Sequence, residues 1–139
     1  MNIVDIPLEY LGNIANQLIT ICSILCGFSI AVTANLLIND SNTPIMNNIM
    51  KATSFASGCF LVTVFVMTNI VMRTTEGYPF KISANDLMPQ RIVGTLAFVM
   101  GIISLSIVIT LSSWTKSKSL GIFTTIIGVL TLVIILLSV

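Results

Sequence analysis

The chain has 139 residues, of which 55% are hydrophobic and 8% are charged, with a net charge of +1 and a mean hydropathy of +1.05. Soluble globular proteins contain about 25% charged residues, so this chain has too few to cover a water-facing surface. The composition excludes a soluble enzyme and a disordered chain, and six Lys and Arg residues are too few for a nucleic-acid-binding surface. We expect a single transmembrane domain over residues 1–139.

The charged residues divide the chain into long uncharged segments. Residues 11–39, 52–72, 92–115 and 119–139 contain no Asp, Glu, Lys or Arg. Each segment has about 20 residues or more, which is the length that an α-helix needs to cross a hydrocarbon core of about 30 Å. The sequence therefore predicts an all-α integral membrane protein with four transmembrane helices. Their expected positions are approximately 7–38, 46–73, 89–113 and 118–138.

The first predicted helix is longer than a bilayer requires. Pro7 suits the first turn of a helix, and no helix-breaking residue follows before Asn39. A helix over 7–38 would be about 48 Å long, so its N-terminal end should project beyond the bilayer and carry Glu9 with it. Asp5 and Glu9 stand where a signal peptide would have a basic segment, so we expect this helix to remain in the mature protein.

One face of the first predicted helix combines polar and small residues. When residues are placed at steps of about 100°, the face lies within about 40° of Asn13. If this face lined a narrow pore, its amide and hydroxyl groups would solvate ions. Its apolar middle would close the pore by dewetting, and an acidic ring at one end would attract cations. We refer to this candidate pore lining as the polar face: Glu9, Asn13, Gln17, Thr20, Ile24, Gly27, Ala31 and Asn35.

Close helix packing is the alternative explanation for this face. Ser23, Gly27 and Ala31 form a series of small residues at steps of four, which lets helices approach closely, and Asn or Gln side chains can hydrogen-bond between helices. By the same reasoning, Asn69 of the second helix is expected to bond to a neighbouring helix.

Small residues also recur along the third and fourth predicted helices, at steps of three, four and three. Such spacing favours tight contact between helices over a ligand site. The third-helix stripe is Gly94, Ala97, Gly101 and Ser104, and the fourth-helix stripe is Gly121, Thr124, Gly128 and Thr131.

The sequence offers little chemistry for catalysis or cofactor binding. It has no His, and its uncharged segments place no Asp, Glu, Lys or Arg at mid-membrane, where proton pumps and ion-coupled carriers need an ionisable group. Cys22, Cys26 and Cys59 lie within apolar segments and are expected to pack as small apolar residues. We therefore predict no catalytic residue, no metal site, no cofactor and no enzymatic activity.

The orientation in the membrane follows only weakly from charge. Three Lys and Arg residues fall on each side, so the positive-inside rule gives a tie. We place both termini in the cytoplasm, because the long and highly charged connection 73–91 then needs no translocation. The expected location is a plasma membrane or a bacterial inner membrane.

The segment 26–35, Cys-Gly-Phe-Ser-Ile-Ala-Val-Thr-Ala-Asn, resembles the pore-lining first helix of the Orai calcium channels. In that family a small residue, Gly and Phe are followed by seven residues, the last of which is the selectivity glutamate. The resemblance implies four helices per subunit, cytoplasmic termini and a long first helix at the centre of an oligomer. Asn35 replaces the glutamate here, and Asp5 and Glu9 stand where the family has basic residues. The resemblance therefore implies the architecture without calcium selectivity.

Two functions remain open from the sequence. The first is a homo-oligomeric ion channel lined by the first helix, in contact with lipid and with other copies of the chain. Small four-helix membrane proteins also act as effectors in bacterial anti-phage systems, where an opened pore depolarises the infected cell, and the Ile- and Asn-rich composition is typical of prokaryotic proteins. Such an effector would need its loops or a regulatory partner for sensing. The second function is an accessory subunit that packs against a larger membrane complex and has no pore of its own.

Overall fold

The computed structural model describes residues 7–38, 43–76, 78–79, 83–115 and 117–138. Over these ranges the chain forms four α-helices, one short 3₁₀ helix and no β-strand. The helices are α1 (Leu8–Ile38), α2 (Pro44–Thr74), α3 (Met88–Trp114) and α4 (Lys118–Ser138), with the 3₁₀ helix Ala84–Leu87 directly before α3.

The predicted all-α fold with four helices is confirmed, and every helix bound lies within two residues of its predicted position. Three helical segments are long and apolar enough to cross a membrane: Leu8–Ile38, Pro44–Thr74 and Asn85–Trp114. The fourth contributes a shorter apolar stretch, Lys118–Ile134, so its crossing of the membrane stays a prediction.

Local sequence explains where the second and third helices begin. Thr43 precedes α2 in an extended conformation, and its hydroxyl accepts a hydrogen bond from the Met46 N–H at 3.4 Å. This satisfies one of the free N–H groups at the helix start, and Pro44 suits the first position because it lacks an N–H. Before α3, the Asp86 carboxylate accepts from the Ser83 N–H at 3.0 Å and so holds the 3₁₀ turn that leads into the helix.

Consecutive helices run antiparallel, and α2 lies between α1 and α3 while α4 packs on α3. Two apolar clusters hold the first three helices together. One cluster lies towards the N-terminus of α1: Leu11, Ala15, Met67, Ile70 and Leu87. The other lies near the middle of the helices: Cys22, Cys26, Ala56 and Phe60. The Phe60 side chain is fully buried and is the largest group in the second cluster.

Most Ser and Thr hydroxyls in the described helices donate to the backbone carbonyl four residues earlier. Ser29, for example, donates to Leu25 at 2.8 Å, and Thr68 donates to Val64 at 2.7 Å. A hydroxyl bonded in this way carries its own partner on the same helix, so it can lie in an apolar environment at low cost. The many Ser and Thr residues are therefore compatible with helices that cross a membrane.

Candidate pore-lining face of the first helix

All eight residues of the polar face are exposed in the isolated chain. The buried residues of α1 lie on the opposite side: on a helical wheel Cys22 is about 180° from Asn13, and Ala15 and Ser29 lie within about 20° of Cys22. This opposite side packs against α2, where the Cys26 thiol lies 3.6 Å from the Ser57 carbonyl oxygen. The first helix is thus anchored by one face and leaves its polar face uncovered.

The amide side chains of the polar face differ from the hydroxyls in their hydrogen bonding. Thr20 donates to the Asn16 carbonyl at 3.1 Å and so has a partner on its own helix. Asn13, Gln17 and Asn35 are exposed, and their side chains have no hydrogen-bond partner within the described residues. An amide facing hydrocarbon without a partner costs several kcal/mol, so these groups require water, headgroups or another protein chain.

The middle of the polar face makes no tight contact within the chain. Ile24 is 68% exposed, and a Cβ built on Gly27 would meet nothing within 4 Å. Ser23 and Ala31 are also exposed. Ser23, Gly27 and Ala31 therefore do not serve a helix contact within the described part of one chain. If they serve packing, the partner is a second chain.

The third-helix stripe lies against α2. Gly94 and Gly101 are buried, and a Cβ on Gly101 would lie 2.7 Å from Cε1 of Phe60. Ser104 is buried as well, and its hydroxyl donates to the Ala52 carbonyl of α2 at 2.8 Å. Ala97, the remaining member, is half-buried. This stripe lets the backbones of α2 and α3 approach, so that the Ser104 side chain of α3 bonds directly to the backbone of α2.

The fourth-helix stripe contacts α3 over its first part. Gly121 is buried under the Trp114 ring, and a Cβ on Gly128 would lie 3.3 Å from the Thr110 hydroxyl oxygen. Thr124 is half-buried, whereas Thr131 is exposed and donates to the carbonyl of its own helix. Within this stripe, Gly121 and Gly128 therefore contact α3, and Thr131 does not face it closely.

Two polar residues lie in surroundings that differ from those the sequence predicted. Asn69 was expected to bond to a neighbouring helix, but it is exposed, and its side chain has no hydrogen bond within the described residues. Asn16, which the sequence analysis did not include in the polar face, is exposed about 60° from Asn13. The position of Asn16 on the helical wheel could have identified it from the sequence. Asn16 widens the polar face near the N-terminal end of α1.

The cysteines lie away from the polar face. Cys22 and Cys26 are buried against α2, and Cys59 is half-buried. In the described part of the chain, no group of three or more His, Cys, Asp and Glu side chains could hold a metal ion. No protein-family model, curated protein or solved structure significantly matches the chain.

Proposed function

We propose that this protein is a homo-oligomeric ion channel whose pore is lined by the polar face of α1. The observation that carries the proposal is the complete exposure of this face on the side of α1 opposite its contact with α2. Rotational symmetry would bring copies of α1 together around an axis, with the polar faces inward and the remaining helices outside. Water in the pore would then solvate the amides of Asn13, Gln17 and Asn35.

The positions of Arg91 and Trp114, which we take as the membrane boundaries, support this placement of the polar face in the membrane. Arg91 and Trp114 lie at opposite ends of α3, about 35 Å apart along the helix, which matches the hydrocarbon core and its margins. Gly94 lies against Met67, which shares a cluster with Leu11 and Ala15. The Arg91 boundary therefore falls near Ala15, so α1 would carry Glu9 beyond the bilayer and keep Gln17 inside it.

The order of side chains along α1 suggests how the pore would treat ions. A ring of Glu9 carboxylates at the N-terminal mouth would create a negative potential and concentrate cations. Amides and hydroxyls from Asn13 to Thr20 would replace part of the hydration shell of a permeating ion. Ile24 would form an apolar collar next to Gly27, and such a collar closes a narrow pore by dewetting.

The rest of the proposed architecture follows the resemblance to the Orai channels. The fourth helix would also cross the membrane, and both termini would lie on the cytoplasmic side of a plasma membrane or a bacterial inner membrane. In a bacterial host, opening of this pore would depolarise the cell, as an anti-phage effector does. The exposed polar face supports the pore itself, and the cellular role extends it by analogy.

The proposal is tested with the purified full-length chain. Its mass in detergent is measured by light scattering, and the same sample is then incorporated into planar lipid bilayers for current recording. A channel predicts a defined ring of several copies and discrete cation-selective currents. A monomer whose bilayers conduct no more than protein-free bilayers contradicts the proposal and favours an accessory subunit, whose polar face would be covered by a partner of another sequence.

A further inference from the structure

A groove lies where α1, α2 and the first turns of α3 meet. It encloses about 120 Å³, and an open depression of about 370 Å³ on α3 adjoins it. Arg91 and Thr95 line both spaces. The other lining side chains are apolar residues of the three helices, including Leu11, Leu18 and Ile70. The two spaces therefore meet at Arg91 and Thr95, which are the only polar side chains among the described residues of a lining that is otherwise apolar.

Arg91 brings a positive charge to this groove. Its side chain is half-buried, and none of the described acidic residues forms an ion pair with it. Arg91 also lies within one turn of the N-terminus of α3, and that turn contains no acidic residue. The positive end of a helix dipole disfavours a cation and favours an anion. An anionic group beside Arg91 would therefore be stabilised both by the guanidinium and by the N-terminal end of α3.

Thr95 supplies a hydrogen-bond donor beside Arg91. The two residues are one helical turn apart on the same side of α3. Most other hydroxyls in the described helices donate to a carbonyl of their own helix, but Thr95 is exposed and makes no hydrogen bond within the described residues. A guanidinium and a hydroxyl that has no partner among the described residues thus lie together between two apolar spaces.

We propose that this groove binds an anionic phospholipid, with an acyl chain along the apolar walls and the headgroup phosphate held by Arg91 and Thr95. The planar guanidinium can donate two parallel hydrogen bonds to phosphate oxygens. Arg91 lies at the proposed membrane boundary, about 35 Å along α3 from Trp114, which is the depth of a lipid phosphate. No residue of the polar face lines the groove, so the lipid site does not depend on the proposed pore.

The test measures lipid retention by native mass spectrometry of the full-length protein. The protein is released from detergent micelles that contain equal amounts of phosphatidylglycerol and phosphatidylcholine. We expect the wild type to retain one phosphatidylglycerol per chain in preference to phosphatidylcholine. Arg91→Gln should lose this preference. Thr95→Val, which keeps the shape and charge of the groove, should reduce the retained phosphatidylglycerol.

Arg73→Gln is the matched control, because Arg73 is half-buried at the same end of the molecule and lines neither space. We expect this variant to retain phosphatidylglycerol as the wild type does. The proposal is overturned if Arg91→Gln keeps the wild-type preference, if Arg73→Gln loses as much lipid as Arg91→Gln, or if the wild type retains both lipids equally. Helix content measured by circular dichroism identifies a variant that fails to fold. If Arg91→Gln fails to fold, the retention of phosphatidylglycerol by Thr95→Val decides whether the proposal stands.

Discussion

At the residue scale, the glycines of the helices differ in what a side chain would meet. A Cβ on Gly101 would lie 2.7–3.0 Å from the Phe60 ring, whereas a Cβ on Gly58 would meet nothing within 4 Å. We expect Gly101→Ala to lower the free energy of unfolding by about 1–3 kcal/mol, because overpacking forces the buried ring to move. Thermal unfolding in one detergent, followed by circular dichroism, measures this.

Gly58→Ala is the control for that substitution. The same change of residue there adds no clash and reduces the freedom of the unfolded chain, so stability should stay constant or rise by up to about 1 kcal/mol. Equal losses of melting temperature for the two variants would show that the contact between Gly101 and Phe60 is not tight.

Gln90 provides a second residue-scale prediction. Its Oε1 atom is buried and has no hydrogen-bond partner within the described residues. An unpaired buried acceptor costs about 1–3 kcal/mol, so Gln90→Met, which has a similar length and no such acceptor, should raise the melting temperature. Ser104→Ala is the comparison, since it removes a donor from the Ala52 carbonyl and should lower stability by about 1 kcal/mol. If both variants lose stability equally, the Gln90 oxygen is paired in the folded protein.

At the element scale, the sequence was sufficient to predict the four helices. Charged residues such as Lys51 and Arg73 cannot enter the hydrocarbon core cheaply, so each uncharged segment between them predicts one helix. The helix ends depend on local signals instead: α2 begins at Pro44, well before the uncharged segment 52–72, because Thr43 caps it. Because α1 continues without a break from Leu8 to Ile38, steps of about 100° describe all of its faces, and the polar face lies opposite the buried residues. Whether that face lines a pore stays a prediction.

Other element-scale features depend on tertiary contacts that the sequence does not specify. The spacing of Gly94 and Gly101 predicted close packing, but it could not identify α2 as the neighbour, because that depends on the side chains of Met67 and Phe60. The 3₁₀ helix Ala84–Leu87 was not predicted either. It depends on hydrogen bonds around Asp86, which are compatible with several turns of similar energy.

The apolar collar of α1 leads to a prediction about gating. Ile24→Ser should increase the current through the closed channel, because a hydroxyl at this position keeps water in the narrow section. Ile30→Ser on the same helix is the control: Ile30 is 51% exposed but lies about 100° away from Asn13, off the polar face. Recordings in planar bilayers compare the two variants. Equal background currents would exclude Ile24 as the gate.

At the scale of the whole molecule, the account predicts the charge selectivity of the assembled ring. Each subunit would add one Glu9 carboxylate to the same mouth, so the repeated charge acts on every passing ion. Glu9→Lys should abolish or reverse cation preference, and Glu9→Gln should weaken it. Reversal potentials in a salt gradient measure the preference. Unchanged reversal potentials in Glu9→Lys would show that this residue is remote from the conduction path.

The opposite mouth gives an independent prediction for the assembled ring. Asn35→Asp would place a second carboxylate ring at the opposite end of the polar face. We expect a stronger preference for cations, including divalent cations, in the same salt gradients. If Asn35→Asp shows the same preference for divalent cations as the wild type, Asn35 lies outside the pore.

The proposed channel requires that water fills a pore along the polar face of α1. The most direct test places single cysteines at Gln17 and Thr20 and applies a charged, water-borne thiol reagent during current recording. We expect rapid modification and a loss of current at both positions. The parent protein should not respond, because its Cys22 and Cys26 are buried and its half-buried Cys59 lies in an apolar segment of α2. Ile107→Cys, at an exposed apolar position of α3, should not respond either. Cysteines at 17 and 20 that remain as unreactive as the cysteine at 107 would contradict the account.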